Sequence, residues 1–191
     1  MKVSREQAAA NRERILEFAS ELFRERGFDG IGVADLMKHA GLTHGGFYGH
    51  FSSKEDLMAQ ACDRALAQSV AKWAGLSDRL DDKALSTIAK SYLSTRNRDD
   101  PGAGCAIAAL AADASRHGPK VRRSITEGVR SLVEILAGIV PGKSRVAKRR
   151  LALSTFASMV GALVLARAVD DPEMSEEILG ATAGSIQRLV S

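Results

Sequence analysis

Leu42-Thr43-His44-Gly45-Gly46-Phe47-Tyr48-Gly49-His50-Phe51, the stretch LTHGGFYGHF, decides how this chain is read. It lies in a strongly helical part of the sequence, yet three of its ten residues are glycine. Each glycine costs a helix interior about 1 kcal/mol relative to alanine. At about 100° per residue, Phe47 and Phe51 share one face and Gly45 and Gly49 occupy the opposite one. Tyr48 flanks the glycine face on one side and Gly46 on the other. Two aromatics inward and bare backbone outward predict a short helix whose outer side is approached closely by something else.

The flanking residues supply the frame. Ser4-Arg5-Glu6-Gln7 has capping-box spacing and opens a first helix over about 5–26, carrying Ile15, Ala19, Leu22, Phe23 and Arg26 at helical spacing. Gly27 is its C-terminal cap. A second helix spans about 33–40, with Val33, Leu36, Met37 and Ala40 apolar and Gly41 as the turn. Thr43 is placed to cap the third helix, about 44–51. Ser52-Ser53-Lys54-Glu55 reads as a second capping box, opening a fourth helix that carries Leu57, Ala61, Ala65 and Leu66 toward Trp73. Leu36, Leu42, Phe47 and Phe51 are expected to pack together, with Leu22 and Phe23 as the third wall. Helices two and three then form a helix-turn-helix whose third helix faces a DNA major groove. The alternative is a three-helix packing unit with no DNA role.

Beyond Trp73, Gly75 and the charged segment Asp78–Asp82 predict a break, and a fifth helix runs over about 83–94. Residues 96–102 read as a loop by composition. A sixth helix, about 105–116, stops at Gly118-Pro119; a seventh runs to about Val140, before Pro141-Gly142. The eighth spans about 145–169, and Pro172 begins the ninth as its first residue. The expected fold is all-α, nine helices, with a helix-turn-helix domain at 8–68 and a C-terminal helical domain at 69–191. No strand pattern, internal repeat or low-complexity tail is present.

Composition agrees. The 191 residues are 45% apolar and 26% charged, with a net charge of +4 and a pI near 9.3. A mild basic excess is compatible with nucleic-acid binding without requiring it. The charged N-terminus Met1-Lys2-Val3-Ser4-Arg5-Glu6 has no secretory core. The uncharged run from Leu151 to Ala166 is shorter than the roughly 20 residues of a membrane span. It reads as a buried helix of a soluble, cytoplasmic protein. Cys62 and Cys105 form no metal or redox spacing motif and read as buried thiols.

From about Asn11 to Ala61 the chain resembles the DNA-binding domain of the TetR (tetracycline-repressor) family of transcriptional regulators. The resemblance rests on Ile15-Leu16, Ala19, Leu22-Phe23, Gly27-Phe28, Val33, Asp35-Leu36, Ala40-Gly41-Leu42-Thr43, Gly45, Phe47-Tyr48, His50-Phe51 and Lys54-Glu55-Asp56-Leu57. It implies phosphate contacts at the start of the second helix, where Ile31, Gly32 and Val33 replace a more usual threonine or serine pair. It implies phosphate or base contacts at Thr43, His44, Tyr48 and His50, and a phosphate contact at Lys54. Gly45, Gly46 and Gly49 lie on the DNA-facing side; the family commonly has a larger residue at the position of Gly49. Lys2, Arg5, Arg12 and Arg14 could add phosphate contacts, although a solvated helix face is the better reading of each. The third helix has no Arg, Lys, Asn or Gln, the usual bidentate base readers. Specificity is therefore expected from Thr43, His44, Tyr48 and DNA shape.

In the C-terminal half, small and apolar positions predict a homodimer interface: Ser158, Gly161, Ala162 and Leu165 on the eighth helix, Ile178, Ile186 and Leu189 on the ninth. Two heads would then meet a pseudo-palindromic operator in double-stranded DNA. The family's logic adds an unidentified small-molecule ligand that releases the repressor. Trp73, Tyr92, Cys105, Phe156 and Met159 are pocket-compatible, with ordinary core as the alternative for each, and the alanines of the sixth helix either leave a cavity or pack tightly. Pro101-Gly102-Ala103-Gly104 lacks the lysine and strand of a phosphate loop. His39, His44, His50 and His117 lack metal-site spacing, so no metal, cofactor or enzymatic activity is expected. Asp113 and His117 read as a surface pair, and the basic run Lys143–Arg150 as a solvated face or a second anion site. The alternative function is a redox-sensing regulator using Cys62 or Cys105.

Overall fold

A computed structural model describes residues 4–80 and 83–189. Lys2, and Asp81 and Asp82 of the expected break, lie outside the described residues. Every regular element among the described residues is helical: α1 Arg5–Arg26, α2 Val33–His39, a 3-10 helix η1 His44–Gly49, α3 Lys54–Leu80, α4 Ala84–Tyr92, α5 Thr95–Asp99, α6 Ala106–Ala114, α7 Pro119–Ile139, α8 Arg145–Ala168 and α9 Pro172–Gln187. The chain packs as two units: Met1–Leu66 with Pro101–Thr126, and Ala67–Asp100 with Glu127–Ser191. The linear division after residue 68 therefore differs from the division by packing, because residues 101–126 join the N-terminal helices. Apolar faces choose their core by fit, and α6 turns Ala106, Ile107, Leu110 and Ala114 inward.

In the first unit, the Ser4 hydroxyl accepts the Gln7 N–H at 3.1 Å and starts α1. The Gln7 side chain does not reach back; it donates to Asn11 Oδ1 at 3.0 Å. The helix buries Ile15, Leu16, Ala19, Leu22 and Phe23. It stops at Gly27, whose φ of 74° suits glycine and whose N–H donates to the Phe23 carbonyl at 2.9 Å. The cap of α3 sits one residue later than the SSKE spacing suggests. Ser53 Oγ accepts the Asp56 N–H at 3.0 Å, and Asp56 Oδ2 accepts the Ser52 N–H at 3.2 Å. Burial alone would raise the Asp56 carboxyl. The Ser52 backbone bond, side-chain bonds to Gln60 and Ser52, and the Lys120 charge outweigh it and hold the group below its ordinary value.

The fourth helix does not break at Gly75. Instead α3 continues to Leu80, with Arg79 Nε donating to the Gly75 carbonyl at 2.8 Å. A single glycine removes about 1 kcal/mol, which a helix of 27 residues tolerates.

The second unit holds α4, α5, α8, α9 and the remaining parts of α3 and α7. The expected loop at 96–102 contains α5 instead. Ser94 Oγ caps it by accepting the Asn97 N–H at 3.2 Å. Its backbone is tied to α8 by Arg167, which donates to the carbonyls of Asn97 at 2.6 Å and Arg98 at 3.1 Å. Arg98 in turn donates to Ser175 Oγ at 2.9 Å, and that hydroxyl donates to the Ala166 carbonyl at 2.7 Å. Tertiary hydrogen bonds hold this five-residue helix where local propensity would not.

Along α8, Ala152, Thr155, Phe156, Met159, Ala162, Leu163 and Ala166 are buried, and the helix packs on α9 and α4. By length and composition α8 could cross a membrane, a test that the core helix of a soluble protein also passes. Asp171 Oδ1 caps α9 by accepting the N–H groups of Glu173 at 2.9 Å and Met174 at 3.1 Å, with Pro172 as first residue.

Candidate nucleic-acid interface

Phe47 and Phe51 are buried and their rings stack 5.8 Å apart at 29°. Leu36 and Met37 of α2 are buried in the same unit. Leu42, expected as an equal partner, is only half-buried. The segment is not the α-helix expected over 44–51. The Thr43 carbonyl accepts from Gly46 N–H at 3.0 Å and the Phe47 carbonyl from His50 N–H at 2.9 Å, both three residues apart. Three glycines within six residues remove most of the α preference, and the tighter three-residue turn takes over. An α-type bond from Phe51 N–H to the Phe47 carbonyl, 3.0 Å, closes the segment and brings the two phenylalanines onto one side.

Three residues per turn stack Gly45 with Tyr48, and Gly46 with Gly49. Apart from its chain neighbours and own helix backbone, an added Cβ at Gly45 or Gly49 would meet no atom within 4 Å. At Gly46 it would meet Met37 Cε at 3.6 Å and Thr43 Oγ1 at 3.7 Å. Tyr48 is 71% exposed, although its ring edge touches Phe47 at 5.2 Å between centroids.

The other expected contact residues lie in the same unit. Thr43 and His44 are exposed, and His50 is the half-buried C-cap of η1. Thr43 precedes η1, but its side chain makes no capping bond. Gly32 is the exposed N-cap of α2, without a side-chain cap, and Val33 follows half-buried. Ile31 is buried and belongs to the core. Lys54 is half-buried at the first position of α3.

Two basic residues that the sequence placed on a solvated face are ties between helices. Arg12 donates to Gln60 Oε1 and lies over the Phe51 ring, 5.1 Å from its centroid. Arg14 donates to the Ala40 carbonyl at 3.3 Å, at the end of α2. Arg5 is exposed. Asp113 and His117 do not pair with each other as expected. Asp113 binds Arg116 at 2.6 Å, while His117 lies 3.8 Å from Asp29 and stacks edge-on against Phe28 at 5.0 Å. Long-range neighbours decide both, which helix spacing alone does not show.

The expected pocket set is divided by the packing. Cys105 is the buried N-cap of α6 in the first unit. Trp73, Tyr92, Phe156 and Met159 are buried in the second. Trp73 is the hub, with edge contacts to Tyr92 at 5.9 Å and Phe156 at 6.0 Å. None of these residues lines the two cavities of that unit described here. One, about 490 Å³, is bordered by Glu134, Gly138 and the basic run Lys143, Arg145, Lys148 and Arg149. The other, about 300 Å³, lies among Arg98, Arg167, Asp171 and Ser175. Within the basic run, Arg149 pairs with Glu134 at 2.6 Å.

Of the expected interface residues, Ser158, Leu165 and Leu189 are exposed, and Gly161 and Ile178 half-buried. Ala162 and Ile186 are buried within the unit and belong to its own core. Leu153, Val164 and Met174, not singled out in the sequence, are exposed apolar residues on the same two helices. The all-round apolarity of α8 concealed which of them face outward. Among the described residues no group of three or more His, Cys, Asp or Glu side chains could hold a metal.

Residues 15–61 match the family model of bacterial regulatory proteins of the tetR family. This match, over 47 of the 191 residues, places that segment in the TetR family. Residues 15–61 include α2 and η1, the helix-turn-helix of a DNA-binding regulator of that family. Among curated proteins, an uncharacterized HTH-type transcriptional regulator of Bacillus subtilis, YerO, is 28% identical over 88 residues, 46% of this chain and 30% of that protein. The HTH-type transcriptional repressor NemR of Escherichia coli is 26% identical over 129 residues, 66% of this chain and 65% of NemR. The matches thus span from 30% to 65% of the length of these relatives. The TetR-family relatives are transcriptional regulators and not enzymes. The crystal structure of reduced E. coli NemR superposes with a TM-score of 0.82 at 21% identity, covering 95% of this chain and 97% of that one. Bacillus subtilis FadR in complex with stearoyl-CoA superposes with a TM-score of 0.68 at 17% identity, covering 94% and 97%. Both share the fold.

Proposed function

We propose that this TetR-family protein is a cytoplasmic, homodimeric repressor that binds a pseudo-palindromic operator and leaves it when a small molecule binds the C-terminal unit. One observation carries the DNA contact. η1 holds Phe47 inward and leaves Gly45, Gly49 and Tyr48 outward, with open space where side chains would stand. Thr43, His44, Gly46 and His50 border this surface, while Gly32, Val33 and Lys54 supply helix starts beside which phosphates can sit. The exposed apolar residues of α8 and α9 support dimerisation: a face bearing Leu153, Val164, Leu165 and Met174 is stable in water when covered by its copy. A ligand site in the second unit is supported by FadR, of the same fold, which is seen with stearoyl-CoA.

A gel shift on the DNA beside its own gene tests the reading. Binding should weaken steeply with salt, as released counterions require. Absence of a shift on that DNA and on sequences selected from a random pool overturns it. A native mass spectrum of the purified protein tests the ligand, which should appear as a discrete added mass.

The redox alternative loses support at Cys62. Burial, reinforced by Asp63 and only partly opposed by Arg24, pushes that thiol up to about 12, so the reactive thiolate is scarce at neutral pH. Operator affinity should be unchanged by mild oxidant and by Cys105→Ser. A loss of affinity on oxidation that Cys105→Ser prevents would restore the redox reading.

A further inference from the structure

The DNA-facing surface of η1 has a chemistry of its own. Its six residues are His44, Gly45, Gly46, Phe47, Tyr48 and Gly49. With Phe47 buried, only His44 and Tyr48 present side chains to a partner. Neither has the paired donors of Arg or the donor-acceptor amide of Asn and Gln that read guanine and adenine edges. The remaining surface is the backbone of Gly45 and Gly49, beside the flat ring of Tyr48, with no atom from beyond their chain neighbours and own helix backbone within 4 Å of either missing Cβ. Besides backbone amides it offers the glycine methylenes and the Tyr48 ring. The one methyl group that a base pair presents in the major groove is the C5-methyl of thymine.

We infer that the bare Gly45–Gly49 surface and the exposed Tyr48 ring form a seat for thymine methyl groups, making this protein a methyl reader rather than a guanine or adenine reader. This rests on the DNA-binding reading above and adds to it the base class recognised. The glycines matter twice. They let the backbone come within van der Waals reach of the groove floor, and they leave a gap that a methyl group fills without displacing protein atoms. Tyr48 supplies the apolar wall, held by its edge contact with Phe47.

The test uses the full-length protein and an operator selected from random duplexes. Each half-site should contain thymines at positions facing the major groove. Replacing one such thymidine by deoxyuridine deletes only the methyl group and should weaken binding about fourfold, the factor for burying one such group. The symmetric pair should give about fifteenfold. In Tyr48→Ala, the ratio of thymidine to deoxyuridine affinity should shrink toward one; Tyr48→Phe should retain it. Equal affinity for both duplexes, selected half-sites without thymine, or a ratio unaffected by Tyr48→Ala overturns the inference. Failure to select any binding duplex instead overturns the DNA-binding reading on which it stands.

Discussion

Phe47 and Tyr48 are neighbours in the chain with opposite fates: Phe47 is 0% exposed and Tyr48 is 71% exposed, their rings meeting edge-on at 5.2 Å. This predicts two separable variants. Phe47→Ala should destabilise the protein by about 3–5 kcal/mol, as for other buried phenylalanines. Tyr48→Ala should leave thermal stability nearly unchanged and weaken the operator complex strongly, though measurably, in a gel shift. Intact DNA binding by folded Tyr48→Ala contradicts the proposed contact surface.

The glycines divide into two kinds. Gly49 has open space around it, so Gly49→Ala should stabilise the fold by roughly 0.5–1 kcal/mol while altering DNA affinity. Gly27 has φ +74°, and a Cβ there would stand 2.7 Å from Asp113 Oδ2. Gly27→Ala should therefore destabilise, by about 1 kcal/mol or more. Chemical denaturation of the two variants reads the opposite signs directly.

Asp56 closes the cap of α3, and its carboxyl is held below the ordinary value of 3.8. A depressed carboxyl contributes stability that is present above the unfolded-state value and lost as pH falls through the folded one. Asp56→Asn should lower the melting temperature at pH 7, and the gap to the unsubstituted protein should narrow in acid below about pH 4. A gap independent of pH would mean that the ionised carboxylate adds nothing to the cap.

Leu165 projects from α8 with 56% exposure, among Leu153, Val164 and Met174. Leu165→Glu should convert the proposed dimer to a monomer in sedimentation without unfolding the second unit. Operator affinity should fall at least tenfold, since one head loses its partner. A Leu165→Glu protein that stays dimeric would place the interface elsewhere.

Local patterns made much of this protein legible from its residues. Helical spacing located α1 with both ends, because Ser4 and Gly27 act within one turn of the chain. The separation of Phe47 and Phe51 from Gly45 and Gly49 was legible too, since it depends on residues within two turns of one helix. The second unit was less legible: α8 is apolar on several sides, so its periodicity does not reveal that Ala162 faces the core while Leu165 faces out.

The sequence by itself determined an all-helical chain, the helix-turn-helix and the residues that flank it, because caps, turns and short-range periodicity are local properties. Tertiary structure alone decided that Arg12 and Arg14 serve packing and that residues 101–126 join the N-terminal unit. It also held α5 together through Arg167. The reason is common to all of these. Each depends on partners tens of residues away, whose positions no local propensity encodes.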